Sequence, residues 1–270
     1  EGAALTLLVA DDEGGEYAVH VQGAGAYTLE AAAMSQNDGG SGGDAGGELA
    51  GGVPVRVGKP FAGIVGDTDY ADYYTFDVPA GAVLSVTVTT AKGSEEVDVE
   101  LYDFEEVPLW SEYGVRAGQP LTMTVIVGAE SGGQYALGVR SGPAAYQVEV
   151  STTTQDDGGS GGDAGDELGE AVEIVLDEEY SGLQGDSDWA DWYTFTLEDG
   201  EAAEVTVTVP KGQGAFLLQV FDEYEDCLES LYDISSRNPA AIEVDAGMGQ
   251  TFYVQVADGA GPYTLKVVKK

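Results

Sequence analysis

The chain has 270 residues, more than one ordinary β-sandwich needs and enough for two or more domains. It carries 49 acidic and 10 basic residues, for a formal net charge of −39. Binding to nucleic-acid phosphates needs clustered Lys and Arg, so this charge excludes it. With 43% hydrophobic residues and 15 Tyr, the chain is not a disordered acidic tail either. We expect cations as partners, since self-repulsion of this size destabilises a compact state unless it is screened.

An internal duplication is the strongest feature of the sequence. QNDGGSGGDAG begins at Gln36 and returns as QDDGGSGGDAG at Gln155, an offset of 119 residues. The same offset carries GDTDYADYYTF, which begins at Gly66, onto GDSDWADWYTF, which begins at Gly185. The chain therefore contains two copies of one unit.

The first 35 residues match the later part of the same repeat and predict three strands, Leu5–Val9, Tyr17–Val21 and Tyr27–Leu29. A sandwich without its first strands exposes apolar faces and unpaired edges. We expect either a chain trimmed from a longer protein, as a start at Glu1 rather than Met also indicates, or completion by strands of a neighbouring subunit. The predicted domains are the C-terminal part of an incomplete repeat and two full β-sandwich repeats, in residues 1–35, 36–151 and 152–270.

Two acidic segments recur in each full repeat, and they are the candidate metal ligands. Calcium takes six to eight oxygen ligands from carboxylates, backbone carbonyls and water. Asp-x-Asp spacing directs carboxylates toward one point, and the interspersed glycines let the backbone curl around an ion. The sequence leaves open which segment holds Ca²⁺, or whether both share one ion. An EF-hand is excluded because its twelve-residue spacing is missing. The candidate ligands are Asp38, Asp44, Asp67, Asp69, Asp72, Asp157, Asp163, Asp166, Asp186, Asp188 and Asp191.

Between these segments, apolar and polar residues alternate with the period of a β-strand. Three valines alternate with Thr206 and Thr208, and Tyr193, Phe195 and Leu197 share one face of another strand. One apolar and one polar face per strand is typical of antiparallel sheets that pack on one another. With about eight strands per repeat, the predicted fold is all-β: tandem antiparallel, jelly-roll-like β-sandwich repeats.

The inventory of side chains argues against catalysis. His20 is the only histidine, so a Ser-His-Asp relay or a His-ligated zinc site would depend on it alone. Paired carboxylates hydrolyse glycosides in some enzymes, but aspartates in Gly-rich turns suit metal binding better. Cys227 is the only cysteine, so no disulfide forms within the chain. A bound metal ion is the obvious alternative means of stabilising the fold. We predict that the protein is not an enzyme.

Four aromatic residues adjoin the second acidic segment: Tyr70, Tyr73, Trp189 and Trp192. They would form either a platform for sugars or a neighbouring domain, or part of the sandwich core and rim.

The stretches GDTDYADYYTF and GDSDWADWYTF, each ahead of a VTVT strand and preceded by DGGSGGDAG, resemble the pre-peptidase C-terminal domain family. The opening Asp/Gly loop is similar to the version found in archaeal surface proteins. The resemblance covers both full repeats and the leading partial one. It implies a secreted, jelly-roll-like accessory or structural module that is often stabilised by calcium and often attached to proteases.

These observations predict an extracellular, calcium-stabilised structural protein of the cell surface, such as a stalk, surface-layer or filament subunit. Its partners would be further copies of itself or neighbouring repeats of a longer chain. The alternative is the C-terminal accessory or binding region of a secreted hydrolase such as a protease. No run of apolar residues is long enough to span a membrane.

Overall fold

A computed structural model describes Leu7, Val9 and residues 15–33, 35–66, 68–212 and 215–270. In these residues strands dominate, and the all-β prediction is confirmed. The strands of the first repeat are β1 (Val53–Pro54), β2 (Phe61–Val65), β3 (Ala71–Val78), β4 (Ala82–Thr90), β5 (Val97–Tyr102), β6 (Pro108–Val115), β7 (Leu121–Ile126), β8 (Gly133–Arg140) and β9 (Ala144–Thr154). Those of the second are β10 (Val172–Glu173), β11 (Glu179–Gln184), β12 (Ala190–Leu197), β13 (Ala202–Thr208), β14 (Phe216–Phe221), β15 (Cys227–Ile234), β16 (Ala240–Asp245), β17 (Gln250–Ala257) and β18 (Gly261–Lys269).

Each set of nine strands forms a five-stranded and a four-stranded sheet. The orders are β1-β3-β8-β5-β6 with β2-β9-β4-β7, and β10-β12-β17-β14-β15 with β11-β18-β13-β16. From β2 to β5 the chain alternates between the two sheets, β5 and β6 form a hairpin, and β7 to β9 alternate again. This is the strand order of a jelly roll, to which β1 adds a short parallel edge beside β3.

The core follows the alternation seen in the sequence. Along β4, every second side chain from Ala82 to Thr90 is buried, and β5 shows the same pattern. Tyr193, Phe195 and Leu197 all point inward, as predicted. Burial of the inward-facing side chains of such strands holds the two sheets of each sandwich together.

The edge strands β6 and β15 are irregular at matching places. The pairing of β5 with β6 shifts register between Val97 and Val99, and that of β14 with β15 shifts between Phe216 and Leu218. A residue with a left-handed backbone lies close to each shift, Gly114 in β6 and Asp233 in β15. Bulges of this kind interrupt the row of backbone groups that an edge strand presents to other chains.

The described residues divide into two compact units. The first contains residues before Val78, Val86–Met123 and Gln134–Ser151. The second contains Val78–Ser85, Thr124–Gly133 and residues from Thr152 onward. The domain boundaries drawn from the repeat stay a prediction.

Four short 3-10 turns complete the described part of the chain: Asp38–Gly40, Leu49–Gly51, Asp157–Gly159 and Leu168–Glu170. Within that part, no helix has the length and apolar character that crossing a membrane requires.

The leading segment differs from its prediction. Residues 15–33 contain no strand, and all of them are exposed. Tyr17–Val21 and Tyr27–Leu29 were expected as strands, but no strand is present there, and an alternating pattern alone does not make a strand stable in water. Leu5–Val9 lies largely outside the described residues.

Candidate metal centre

The opening loop of each repeat is a compact turn closed by its own backbone. In the first repeat the N–H of Asp38 donates to Gly43 O (3.0 Å), and the N–H of Gly42 donates to the side chain of Asn37 (2.8 Å). The second repeat makes the equivalent bonds from Asp157 to Gly162 O (2.8 Å) and from Gly161 to Asp156 (2.8 Å). The loop therefore has a fixed shape that presents its aspartates.

The second acidic segment enters strand β3 through a tight turn. Gly66 and Asp69 exchange backbone hydrogen bonds of 2.6 and 2.8 Å, and β3 begins at Ala71. Asp72 has the same parity along β3 as the inward-facing Tyr74, so its carboxylate is directed into the sandwich. Asp191 has the same position in β12. Each of these aspartates continues a row of core side chains.

The structure brings the two segments together at one place in each repeat. Four carboxylates offer ligand atoms that all lie within 4.8 Å of one another. The first cluster consists of Asp38, Asp44, Asp69 and Asp72, and the second cluster of Asp157, Asp163, Asp188 and Asp191. Three members of each cluster are buried, and Asp44 and Asp163 are half-buried. Carboxylates of both segments therefore lie close enough together to share one ion.

Several oxygens of these carboxylates are buried without a hydrogen-bond partner. Asp38 accepts the N–H of Ile64 on Oδ1 (2.9 Å), and its Oδ2 is left over. Asp157 accepts the N–H of Leu183 on Oδ1 (2.7 Å), and its Oδ2 is also left over. Asp191 is fully buried, and its Oδ1 has no partner either. Buried acceptors without a donor are costly, so the site is suited to a ligand that supplies positive charge.

A pair of buried tyrosines holds the inward-facing aspartate of each cluster. Tyr146 donates its hydroxyl to Asp72 Oδ2, and the Tyr74 hydroxyl lies 2.7 Å from that of Tyr146. Since Tyr146 has only one hydroxyl proton, Tyr74 must donate to it. In the second repeat Tyr263 donates to Asp191 Oδ2 at 2.6 Å, and Tyr193 lies 2.7 Å from Tyr263. One oxygen is thereby fixed by the core while Oδ1 remains for a cation.

Glycines make room for these tyrosines. A Cβ on Gly39 would lie 2.8 Å from the ring of Tyr74, and one on Gly158 would lie 2.8 Å from the ring of Tyr193. Both glycines also have left-handed backbones, with φ of 62° and 63°. Two of the loop glycines are thus required by packing as well as by conformation.

Burial and mutual repulsion oppose ionisation of the clusters. Burial, together with the charges of Asp38, Asp69 and Asp44, raises the pKa of Asp72 to about 8. Burial also raises the pKa of Asp188 to about 9, with further contributions from the second-cluster carboxylates and Asp166. In the described part of the chain, no Lys or Arg forms an ion pair with a member of the second cluster. The fold therefore brings several carboxylates together in the second cluster without a basic side chain among the described residues to neutralise them.

Two of the other predicted ligands, Asp186 and Asp166, are not among the four residues of the second cluster. Asp186 accepts the backbone N–H of Ile126 on Oδ2 (2.9 Å) and is not one of the four residues of the second cluster. Asp166 is not one of them either, although its Oδ1 is buried without a partner. Asp67 lies outside the described residues. The tyrosine pairs were not recognised as part of the site, and the only sequence signal for them is the parity that aligns Asp72 with Tyr74.

The four aromatic residues beside the clusters divide into two kinds. Tyr73 and Trp192 are buried, at 7% and 8% exposure. Tyr70 and Trp189 are 71% and 69% exposed, and each follows a cluster aspartate directly in sequence. The first pair belongs to the packed interior, whereas the second pair is available to a ligand.

The donor set of each cluster consists of oxygen alone. Hard cations such as Ca²⁺ and Mg²⁺ prefer carboxylate and carbonyl oxygens, whereas zinc and copper sites use imidazole or thiolate. The acidic clusters could therefore hold a metal ion of the hard class, and their orphaned buried oxygens fit it.

Comparisons with known proteins find only distant similarity. No protein-family model matches the sequence, and no curated protein does. Among solved structures, the pre-peptidase C-terminal domain of a collagenase from Bacillus anthracis is 18% identical, with a TM-score of 0.28, and the match covers 36% of this chain and 91% of that one. The tandem CBM22-1–CBM22-2 domain of Xyn10C from Paenibacillus barcinonensis is 13% identical, with a TM-score of 0.23, over 73% of this chain and 82% of that one.

A third structure joins the M60 catalytic domain of ZmpB from Clostridium perfringens to its CBM51-1 and CBM51-2 domains. It is 9% identical, with a TM-score of 0.28, over 78% of this chain. The chain spans only 34% of the length of that structure. Because all three scores are below 0.5, the tandem β-sandwich architecture rests on the chain's own strands and sheets.

Proposed function

We propose that the chain is an extracellular structural repeat protein of the cell surface, a stalk, surface-layer or filament subunit, in which one calcium ion stabilises each sandwich. The proposal rests on the orphaned buried oxygens of the two acidic clusters. A cation would satisfy those oxygens and cancel the repulsion between four carboxylates, so its binding energy would add directly to the stability of the fold.

Calcium is favoured over magnesium by the form of the site. Magnesium demands near-ideal octahedral geometry and keeps several of its waters, whereas calcium accepts irregular sets of six to eight oxygens. The cluster combines aspartates from a curled Gly-rich loop, a tight turn and a strand, and most of them are buried. Such a site supplies many protein oxygens and excludes bulk water.

A structural role is favoured over catalysis by the burial of the acidic groups. Three of the four carboxylates in each cluster are buried, so a substrate cannot approach them. His20 lies in the exposed leading segment and has no cluster around it among the described residues. The carboxylates are therefore arranged to hold an ion in place and not to expose it.

Thermal melting of the metal-depleted protein, with and without added calcium, tests the proposal. We expect the midpoint to rise by several degrees, since a site at 100 times its dissociation constant adds about 2.7 kcal/mol. The double variant D72N/D191N should lose most of this increment. D77N is the matched control, because Asp77 lies on the same strand as Asp72 but is exposed. A calcium-induced shift of less than about one degree in the wild type would contradict the proposal.

Self-association is the proposed mode of assembly, and the leading segment supports it. Val19 and Val21 lie on one face of an alternating segment, and both are exposed in a stretch, residues 15–33, that contains no strand. Segments of this kind are completed by pairing with another chain or with a neighbouring repeat. Sedimentation of the chain with and without residues 15–33 would show whether assembly depends on that segment.

The second candidate is the accessory or binding region of a secreted hydrolase, and the exposed aromatics favour it. Tyr70 and Trp189 occupy equivalent places beside the clusters, and exposed aromatic rings are common in ligand-binding surfaces. Intact mass of the native protein separates the candidates. A mass near 28.0 kDa supports the structural subunit, whereas a larger chain with a catalytic domain supports the accessory region.

A further inference from the structure

We infer that the two clusters are unequal, and that the second binds its divalent cation more tightly than the first. This inference rests on the proposed function, because it takes both clusters to be cation sites. It goes beyond that function by predicting that, as the cation concentration rises, the site of the second repeat is occupied before that of the first. Three differences at positions related by the repeat offset of 119 residues carry it.

The first difference is an additional carboxylate. Asp166 in the second repeat corresponds to Gly47 in the first. Asp166 Oδ1 is buried without a hydrogen-bond partner, and its negative charge acts on Asp188, a member of the second cluster. The first repeat offers nothing at this position, because Gly47 has no side chain. A cation in the second cluster therefore meets one more nearby negative charge.

The second difference concerns a glutamine that precedes each opening loop. Gln36 donates its side-chain amide to Asp69 Oδ2 at 2.5 Å and so occupies one oxygen of the first cluster. Gln155, at the matching position, donates its amide to the backbone oxygen of Val127 at 3.0 Å. The Gln155 amide also interacts with Asp188, the counterpart of Asp69, and lowers its pKa, but less closely, because both buried oxygens of Asp188 lie outside hydrogen-bond geometry. The second cluster therefore leaves more carboxylate oxygens free to coordinate a cation than the position occupied by Gln36 allows in the first.

The third difference lies within the opening loop. Asn37 in the first repeat is replaced by Asp156 in the second. Both side chains accept the same loop hydrogen bond, so the shape of the loop is preserved while a charge is added. That charge acts on the adjacent Asp157, a member of the second cluster. All three differences favour a cation in the second repeat.

The affinity of an oxygen site for calcium rises with the number of charged ligands and with the rigidity of the site. An additional negative charge some 6 Å from a divalent ion changes affinity by about tenfold even in a well-screened environment. The two sites are therefore expected to fill in two steps, with dissociation constants separated by about tenfold or more.

Calorimetric titration of the metal-depleted chain with calcium tests the inference. Two variants isolate one site each: D163N disables the second cluster, and D44N disables the first. These residues are a matched pair, because each is half-buried and accepts the N–H two residues later, Gly165 or Gly46. Asparagine keeps that acceptor. We expect D44N to retain the tight step and D163N to retain the weak one.

An exchange of residues between the sites gives the second measurement. G47D, in the D163N background, should tighten the first site by about tenfold, and D166G, in the D44N background, should weaken the second by a similar factor. A Cβ on Gly47 meets no atom within 4 Å and its backbone is not left-handed, so the added side chain fits without strain. G47D therefore remains informative even if D166G fails to fold.

The outcomes are separable. Equal affinities in D44N and D163N, or a tight step retained by D163N, would overturn the inference and leave the proposed function intact. Failure of G47D to strengthen the first site would overturn the part of the inference that rests on Asp166. No calcium binding by the wild type, in calorimetry and in equilibrium dialysis, would overturn the proposed function and this inference with it.

Discussion

At the scale of single residues, Asp72 and Asp191 join the core to the candidate site. Each continues the inward-facing row of its strand, and each has one oxygen bonded to a buried tyrosine and one without a partner. The tyrosine orients the carboxylate in the way that outer hydrogen bonds orient metal ligands in known sites. We therefore expect the hydroxyl to contribute to cation binding by orienting the carboxylate, without being a ligand itself.

Removing that hydroxyl is the most direct test of this role. We expect Y146F and Y263F to weaken calcium binding in their own repeats by about tenfold or more, as loss of outer partners does in other metal sites. Each leaves one buried aspartate oxygen without a donor, and the metal-free protein should also lose about 1–3 kcal/mol.

Calcium titration and urea unfolding measure the two effects. Y113F is the control for both, because Tyr113 lies exposed on edge strand β6, and it should change stability by less than about 0.5 kcal/mol. Unchanged calcium affinity in Y146F and Y263F would show that the hydroxyls serve only the core.

The raised pKa values of the aspartates predict how metal-free stability depends on pH. Burial raises the pKa of Asp72 to about 8 and that of Asp188 to about 9, while an unfolded aspartate titrates near 4. Between these values the folded chain holds more protons than the unfolded chain, so its stability falls as pH rises.

Urea unfolding at about pH 5 and about pH 8 measures this trend. We expect the metal-depleted protein to be less stable at the higher pH. Saturating calcium should reduce or reverse the difference, because the ion replaces the protons. A metal-depleted protein that gains stability over this range would contradict the arrangement of buried carboxylates.

At the scale of elements, the opening loop is the piece that completes each site. Its aspartates reach the cluster because the loop packs against a tyrosine of strand β3 or β12, which only glycine permits at Gly39 and Gly158. The loop is therefore a fitted part of the sandwich rather than a linker between repeats.

The substitution G158A tests this fit. It adds a methyl group 2.8 Å from the ring of Tyr193 and forces alanine into a left-handed backbone, so we expect a loss of about 1–3 kcal/mol and weaker calcium binding. G162A is the control within the same loop, because a Cβ there meets no atom within 4 Å and φ is not left-handed. Equal effects of the two substitutions, measured by urea unfolding, would contradict the packing role.

The strands themselves were predictable from the sequence, because alternation along segments such as 205–209 reports directly which side chains face the core. The meeting of the two acidic segments was not, since it depends on the loop returning to the start of β3. The tyrosine pair was also hidden, because Tyr146 and Asp72 are on strands of different sheets. Residues 17–21 show the opposite error: the alternating pattern is present but no strand is, because alternation alone does not supply the backbone hydrogen bonds that a strand needs.

At the scale of the whole molecule, the net charge of −39 acts on every folded state of the chain. Mobile salt screens exposed charges at a distance, whereas a bound ion acts on the buried carboxylates themselves. The two kinds of cation should therefore differ greatly in effect.

Melting of the metal-depleted protein in calcium chloride and in potassium chloride of equal ionic strength separates these contributions. We expect potassium to raise the midpoint slightly and calcium to raise it much further, because only calcium satisfies the cluster oxygens. Equal shifts in the two salts would mean that the acidity needs general screening alone.

The way each opening loop is fastened has a mechanical consequence. The loop is the first part of its repeat along the chain, and its carboxylates meet those at the start of β3 or β12. A bound cation would close the intervening segment of roughly thirty residues as a cross-link does. A pulling force applied at the N-terminal side of a repeat would then act first on the bonds between the ion and its carboxylates. Only after those bonds broke would the force separate strands from the sheets. In a stalk or filament under flow, each repeat would resist extension in calcium-rich water and yield when calcium is withdrawn.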